Sequence, residues 1–170
     1  LLIAEIVDAN WGRVPHASQD FYQAFADGIN RFVDTHPKQK LPWYWKVRAR
    51  DAAIYGGFTI LRNGWGVAMR ESGAGGETQE GSNAWAIAGS RSLSGGAMLL
   101  ADPHLPWQSD LQWYESHLKC PEFDVAGASF IGNPLPLLGH NAEIAWTATN
   151  NNADTADLYL EKTDPENPDR

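Results

Sequence analysis

The sequence predicts an α+β fold, on three observations. Ser18 to His36, "SQDFYQAFADGINRFVDTH", has the spacing of an amphipathic helix, with Phe21, Phe25, Ile29, Phe32 and Val33 on one face. Ser72 to Gly81, "SGAGGETQEG", holds four glycines and no large apolar residue, a composition that builds no packed element. Beyond that tract helical spacing gives way to short strand-like runs: "AWAIAG", "GAMLLAD", "FDVAGASFIG", "EIAWTAT" and "ADLYLEK". The chain therefore divides into a helical segment over 1–71, a spacer over 72–81 and a strand-rich segment over 82–170.

The elements follow in order. "LLIAEIVDANWG" opens the chain as a strand, without the pattern of a signal peptide. In the helix that follows, Ser18 is the expected N-cap and Asp20 falls in the first turn. The two prolines of "HPKQKLPW" end it. A second helix is expected from about Arg48 to Leu61, weakened by the pair Gly56-Gly57.

Length and composition bound the function. At 170 residues, 43% hydrophobic and 20% charged, the chain is globular and long enough for one domain with a core. A net charge of −8 argues against nucleic acid or an anionic membrane surface as partner, since both select clustered Lys and Arg. No apolar run approaches the ~20 residues of a spanning helix. Cys120 is the single cysteine, so no internal disulfide forms and no Cys/His set has zinc spacing. Eight tryptophans are an excess that either fills a core or lines a binding face.

The chemistry concentrates in "GSNAWAIAGSRSLSGGAMLLADPH", Gly81 to His104. Turn residues from Gly89 to Gly96 fold this stretch into a hairpin centred between Ser92 and Leu93. Ser82 is then opposed by Pro103 or His104. Opposed residues have Cβ atoms about 4.5–5.5 Å apart, but a slip of one residue turns a side chain to the other face. A serine near a histidine is by itself commonplace. Gly81 and the tract before it change its meaning. A serine hydroxyl needs a base to become a nucleophile, and an α-amino group of pKa about 7.7–8.0 can serve. Ser82 has such a group once the Gly81–Ser82 bond is cut. Gly81 tolerates the strained backbone that lets the Ser82 hydroxyl attack the preceding carbonyl. An N-to-O acyl shift and hydrolysis would free the amine.

"GSNAWAI" followed by "LLADPHLPW" resembles the start of the catalytic β chain in the penicillin acylase family of N-terminal-nucleophile hydrolases. The resemblance continues through "WYESHLKCPEFDVAGASFIGNPLPLLGHNAEIAWTATNNNADTADLYLEK" to Lys162, and before residue 81 it is patchy. It implies an αββα sandwich, only partly represented in these residues, with the earlier helices packed against the strands. It also implies a zymogen that cuts itself between Gly81 and Ser82, becomes an αβ heterodimer, and works in the periplasm or outside the cell. With that bond intact, the chain is a precursor or an inactive form. The activity implied is hydrolysis of small N-acylated molecules such as acyl-homoserine lactones or β-lactam antibiotics, with neither nucleic acid nor membrane as partner and no cofactor required.

Carried over onto this sequence, Ser82 matches the nucleophile and its own amine the base. His104 stands where acyl-homoserine-lactone, aculeacin and cephalosporin acylases have His and penicillin G acylases have Gln. Asn150 matches the residue whose backbone N–H binds the oxyanion, a contact typically worth about 2.7–4 kcal/mol. The side-chain donor of that hole, an Asn much further along in the family, has no counterpart in these residues. Asp154 and Asp157 match two carboxylates that hold a structural calcium in penicillin G acylases. Calcium wants six to eight oxygens, so a solvated polar turn stands as an equal alternative. "GHN" at Gly139 to Asn141 reads as a turn and not as a second catalytic histidine. The rival reading is a non-catalytic, Trp-rich carbohydrate- or peptide-binding module, which needs Trp85, Trp107 and Trp146 exposed in one row.

Overall fold

A computed structural model of the chain describes residues 2–73, 81–108 and 111–150, with Asp157, Tyr159 and Pro165. Three helices come first: α1 (Ile3–Asn10), α2 (His16–Thr35) and α3 (Ala49–Glu71). Six strands follow: β1 (Gly81–Ile87), β2 (Met98–His104), β3 (Trp113–Lys119), β4 (Asp124–Phe130), β5 (Leu138–His140) and β6 (Ala145–Trp146). β1 and β2 form an antiparallel hairpin, and β3-β4-β5-β6 form a second antiparallel sheet in sequence order. The molecule is α+β.

The expected opening strand is a helix. Ile3, Ile6, Val7 and Asn10 recur at helical spacing, and Ile3 is buried against α3, where its Cγ2 leaves Gly57 no room beyond a Cβ at 3.1 Å. Burying that single face outweighs the weak strand propensity of so short a run. α2 begins at His16, directly after Pro15, so neither Ser18 nor Asp20 occupies the position expected of it. Gln19 instead ties the helix start down, donating to the carbonyls of Trp11 (3.2 Å) and Val14 (2.8 Å). Phe32 is exposed, and the deep positions of α2 are Ala26 and Asn30. α3 continues ten residues past its expected end at Leu61, through Gly56 and Gly57 to Glu71. Those glycines let α1 and the residues after β4 approach, and close packing overrides their poor helix propensity.

Asn30 is the polar pin of the helical layer. It is 6% exposed, donates from Nδ2 to the Val47 carbonyl and accepts from the Val47 N–H, both at 2.8 Å. The Tyr44 hydroxyl donates to the same Oδ1. One side chain thereby closes the α2–α3 connection. Asn30→Ala strands the half-buried N–H and C=O of Val47 and is expected to cost about 1–3 kcal/mol, read as a lower urea midpoint with unchanged slope.

At the start of α3, Asp51 accepts from the Arg48 backbone N–H (2.8 Å) and pairs with the Arg48 guanidinium (2.8 Å). These contacts hold its carboxyl below the usual range. A carboxylate pKa lower in the folded than in the unfolded state stabilises above the unfolded value, and the gain is lost as pH falls through the folded one. Asp51→Asn is therefore expected to lower the urea midpoint at neutral pH. The gap to wild type should close on acidification below the ordinary carboxylate range.

Two seams join the helices to the strands. The Phe21 ring of α2 meets Phe123, before β4, edge-on at 6.5 Å. Tyr55 of α3 lies over Gly132, where a Cβ would come within 2.7 Å of its ring and φ is +94°. Only glycine fits there.

Candidate active site

The β1–β2 hairpin is built from the turn outward. Gly89 folds back so tightly that a Cβ would lie 2.3 Å from the Gly95 carbonyl oxygen, and Gly95 has φ +75°. Ser92 Oγ donates to the Gly96 carbonyl at 2.7 Å. This turn sets the register: Ser82 opposes Pro103, and Gly81 opposes His104. Of the two registers left open by the turn residues, this one separates the serine and histidine side chains, because neighbours along a strand point to opposite faces.

Each face has its own content. On the Ser82 face, Leu99, Ala101 and Pro103 of β2 form one wall of a cleft of about 570 Å³. Trp113, His140 and Trp146 of the four-stranded sheet stand opposite. The half-buried Ser82 donates its hydroxyl proton to the carbonyl of Gly81, Oγ to O 2.5 Å. The nucleophile candidate thus rests on the carbonyl group of its own preceding peptide bond. On the opposite face, His104 Nε2 lies 2.9 Å from Asp102 Oδ2 and 3.2 Å from Asn83 Nδ2. Its other nitrogen faces the backbone, and a Cβ built on Gly81 would sit 3.7 Å from Nδ1. The bond to His104, then its charge, and a smaller one to Asn83, hold the Asp102 carboxyl below its usual range.

The remaining predicted residues lie apart. Asn150 follows β6, half-buried, and no hydrogen bond among the described residues joins it to Ser82 or His104. Asp157 is exposed, and Asp154 lies outside the described residues. Among the described residues no three His, Cys, Asp or Glu side chains are grouped to hold a metal. "GHN" is only partly a turn. His140 belongs to β5, paired with Ala126 and Ala145, and the turn is made by Asn141, whose Oδ1 accepts from the Glu143 and Ile144 N–H groups at 2.8 Å. The row of exposed tryptophans is not formed. Trp85 and Trp107 are 65% and 92% exposed. Trp146 is half-buried on the other sheet and donates to the Pro136 carbonyl at 3.3 Å.

Asp102 and Asn83 escaped the sequence reading, although the signal was there. In a strand, positions i and i+2 share a face, so "DPH" already sets a carboxylate beside the imidazole.

At the head of the hairpin the Ser82 hydroxyl meets its own peptide carbonyl, and on the same face Pro103 borders a cleft lined by apolar side chains together with Glu115 and His140. The penicillin amidase family model matches residues 1–170, and the chain belongs to that family. It is 29% identical over 198 aligned positions to the acyl-homoserine lactone acylase PvdQ of Pseudomonas fluorescens, across 98% of this chain and 25% of that protein. PvdQ of Pseudomonas putida is 33% identical over 175 positions, covering 99% of this chain and 21% of its own length. Aculeacin-A acylase of Actinoplanes utahensis is 44% identical over 70 positions, 41% of this chain and 9% of that enzyme. The chain thus spans about a quarter or less of the curated relatives it matches. Family membership also extends over residues 1–80, where the sequence motifs alone were patchy. No helix among the described residues is long and apolar enough to cross a membrane.

Proposed function

We propose that this chain carries the processing junction and nucleophile of an acylase that hydrolyses small N-acylated molecules. The observation behind the reading is the Ser82 hydroxyl resting on the Gly81 carbonyl. In the precursor, Oγ attacks that carbonyl carbon, the ester formed is hydrolysed, and Ser82 becomes an amino terminus. In the mature enzyme Ser82 Oγ attacks the substrate's amide carbonyl while its own amine takes the proton and returns it to the leaving nitrogen. The Asn150 N–H stabilises the oxyanion. Water then releases the acyl group as a carboxylic acid and restores the hydroxyl. Nucleophile, base and one oxyanion donor all come from the chain, so the chemistry calls for no cofactor.

The reading extends to architecture and substrate. Two antiparallel sheets with helices against them are compatible with part of an αββα sandwich. The cut would make an αβ heterodimer, working in the periplasm or outside the cell. The cleft on the Ser82 face is lined mostly by apolar side chains, with Glu115 and His140 among them, and its apolar wall suits an aliphatic acyl chain. His104 in place of Gln, and relatives named acyl-homoserine lactone acylases, favour acyl-homoserine lactones over phenylacetyl substrates such as penicillin G. Intact mass of freshly made full-length protein tests the first step, and two chains with Ser82 as a new amino terminus are expected. A protein that stays whole would falsify it. N-acyl-homoserine lactones of rising chain length, run beside penicillin G, test the second. Preference for the phenylacetyl group would overturn the substrate assignment and leave the hydrolase standing.

A further inference from the structure

We infer that Asp102 is a positioning residue for self-cleavage, holding His104 as the tautomer that leaves Nδ1 free beside the Gly81–Ser82 junction. This rests on the reading above that Gly81–Ser82 is the bond cut. One contact fixes a proton. An ionised carboxylate only accepts hydrogen bonds, so the proton shared across the 2.9 Å between Asp102 Oδ2 and His104 Nε2 sits on the imidazole nitrogen. The Asn83 Nδ2, 3.2 Å from the same nitrogen, can only donate, so with the proton on Nε2 its own N–H turns to the Asp102 carboxylate, which accepts from both. In the neutral ring Nδ1 is then an unprotonated acceptor. The hairpin register puts that atom against Gly81, which supplies the carbonyl under attack.

Self-cleavage needs a proton carried between two atoms of Ser82. As Oγ bonds to the Gly81 carbonyl carbon, the hydroxyl proton leaves. As the bond from that carbon to the Ser82 nitrogen breaks, the nitrogen must gain one. Because Ser82 and His104 project from opposite faces, the first proton reaches Nδ1 through a bridging water and returns by the same route to the nitrogen. One C–N bond is exchanged for one C–O bond, and His104 and Asp102 end as they began. Asp102 touches none of the reacting atoms and acts by orienting His104. The arrangement uses one strand pair: Asn83 and Asp102 are directly opposed, and His104 lies two residues further along the same face.

The test uses the full-length precursor. Asp102→Asn should slow the appearance of the Ser82 amino terminus by about 10²-fold or more, the scale of a positioned proton carrier. Asp102→Glu should recover part of that rate. In the uncleaved Ser82→Ala precursor, ¹⁵N spectra of His104 should show the Nε2–H tautomer, and adding Asp102→Asn should shift the population toward Nδ1–H. A wild type that never exposes the Ser82 amine removes the proposed function itself. A wild type that cleaves normally while Asp102→Asn keeps pace overturns this inference alone. So does an Nδ1–H tautomer in the Ser82→Ala precursor, which needs no Asp102 variant to fold.

Discussion

Ser82→Ala is expected to leave the full-length precursor a single chain with no detectable amide hydrolysis, a loss on the order of 10⁴-fold or more. Two losses coincide. The variant has no Oγ to attack the Gly81 carbonyl, so the amine that would act as base is never released. Even a chain cut there by other means would lack the nucleophile. Ser82→Cys separates the two, because a thiol can carry out the acyl shift yet makes a different catalyst afterwards. It should be processed, with the substituted cysteine appearing as an amino terminus by mass, and should hydrolyse substrate more slowly than wild type. Folding should be unaffected, since the hairpin register is set by the turn at Gly89 to Gly96, far from residue 82.

Gly127→Ala should destabilise the precursor by about 3 kcal/mol or more. Gly127 and Gly139 face each other across β4 and β5. A Cβ on Gly127 would fall 2.1 Å from the Leu138 carbonyl oxygen and 2.6 Å from the Gly139 Cα. Both are backbone atoms inside a ladder and cannot turn aside. Gly139→Ala meets the Ala126 carbonyl oxygen at 2.5 Å and should behave alike. Gly28→Ala is the control. It lies within α2 with nothing within 4 Å of an added Cβ, and should stabilise by about 1 kcal/mol through helix propensity. Opposite signs in urea unfolding are the expected outcome. If Gly127→Ala matched wild type, the close pairing of β4 with β5 would be wrong.

The hairpin is legible in the sequence because its information is local. Six Gly and Ser residues within the eight from Gly89 to Gly96 leave few ways to pair the flanking strands, and the alternation of side chains does the rest. Which of Pro103 and His104 faces Ser82 is not legible, because one residue of slip leaves the same turn composition. α1 is illegible for the opposite reason. A short run of Leu, Ile and Val fits either period, and what decides it is α3, more than forty residues later, which buries Ile3. Gly56 and Gly57 discourage a long helix until the close approach they permit is visible. β3, "WYESHLK", has no strand signal of its own because polar residues occupy both of its faces. It pairs along its whole length with β4, whose interior Gly127 is the available hint of close backbone approach.

The seams at Phe21–Phe123 and Tyr55–Gly132 have a consequence for the molecularity of the folded state. While the peptide runs unbroken from α3 into β1, the helical and strand layers meet at an effective concentration on the order of millimolar, whatever the dilution of the sample. Opening the Gly81–Ser82 bond ends that. The layers become two separate solutes, and their union acquires a dissociation constant to be met by rings in contact and by whatever chain lies beyond these residues. Thermal midpoints of the cut form should rise with protein concentration, while those of the uncut Ser82→Ala form should not.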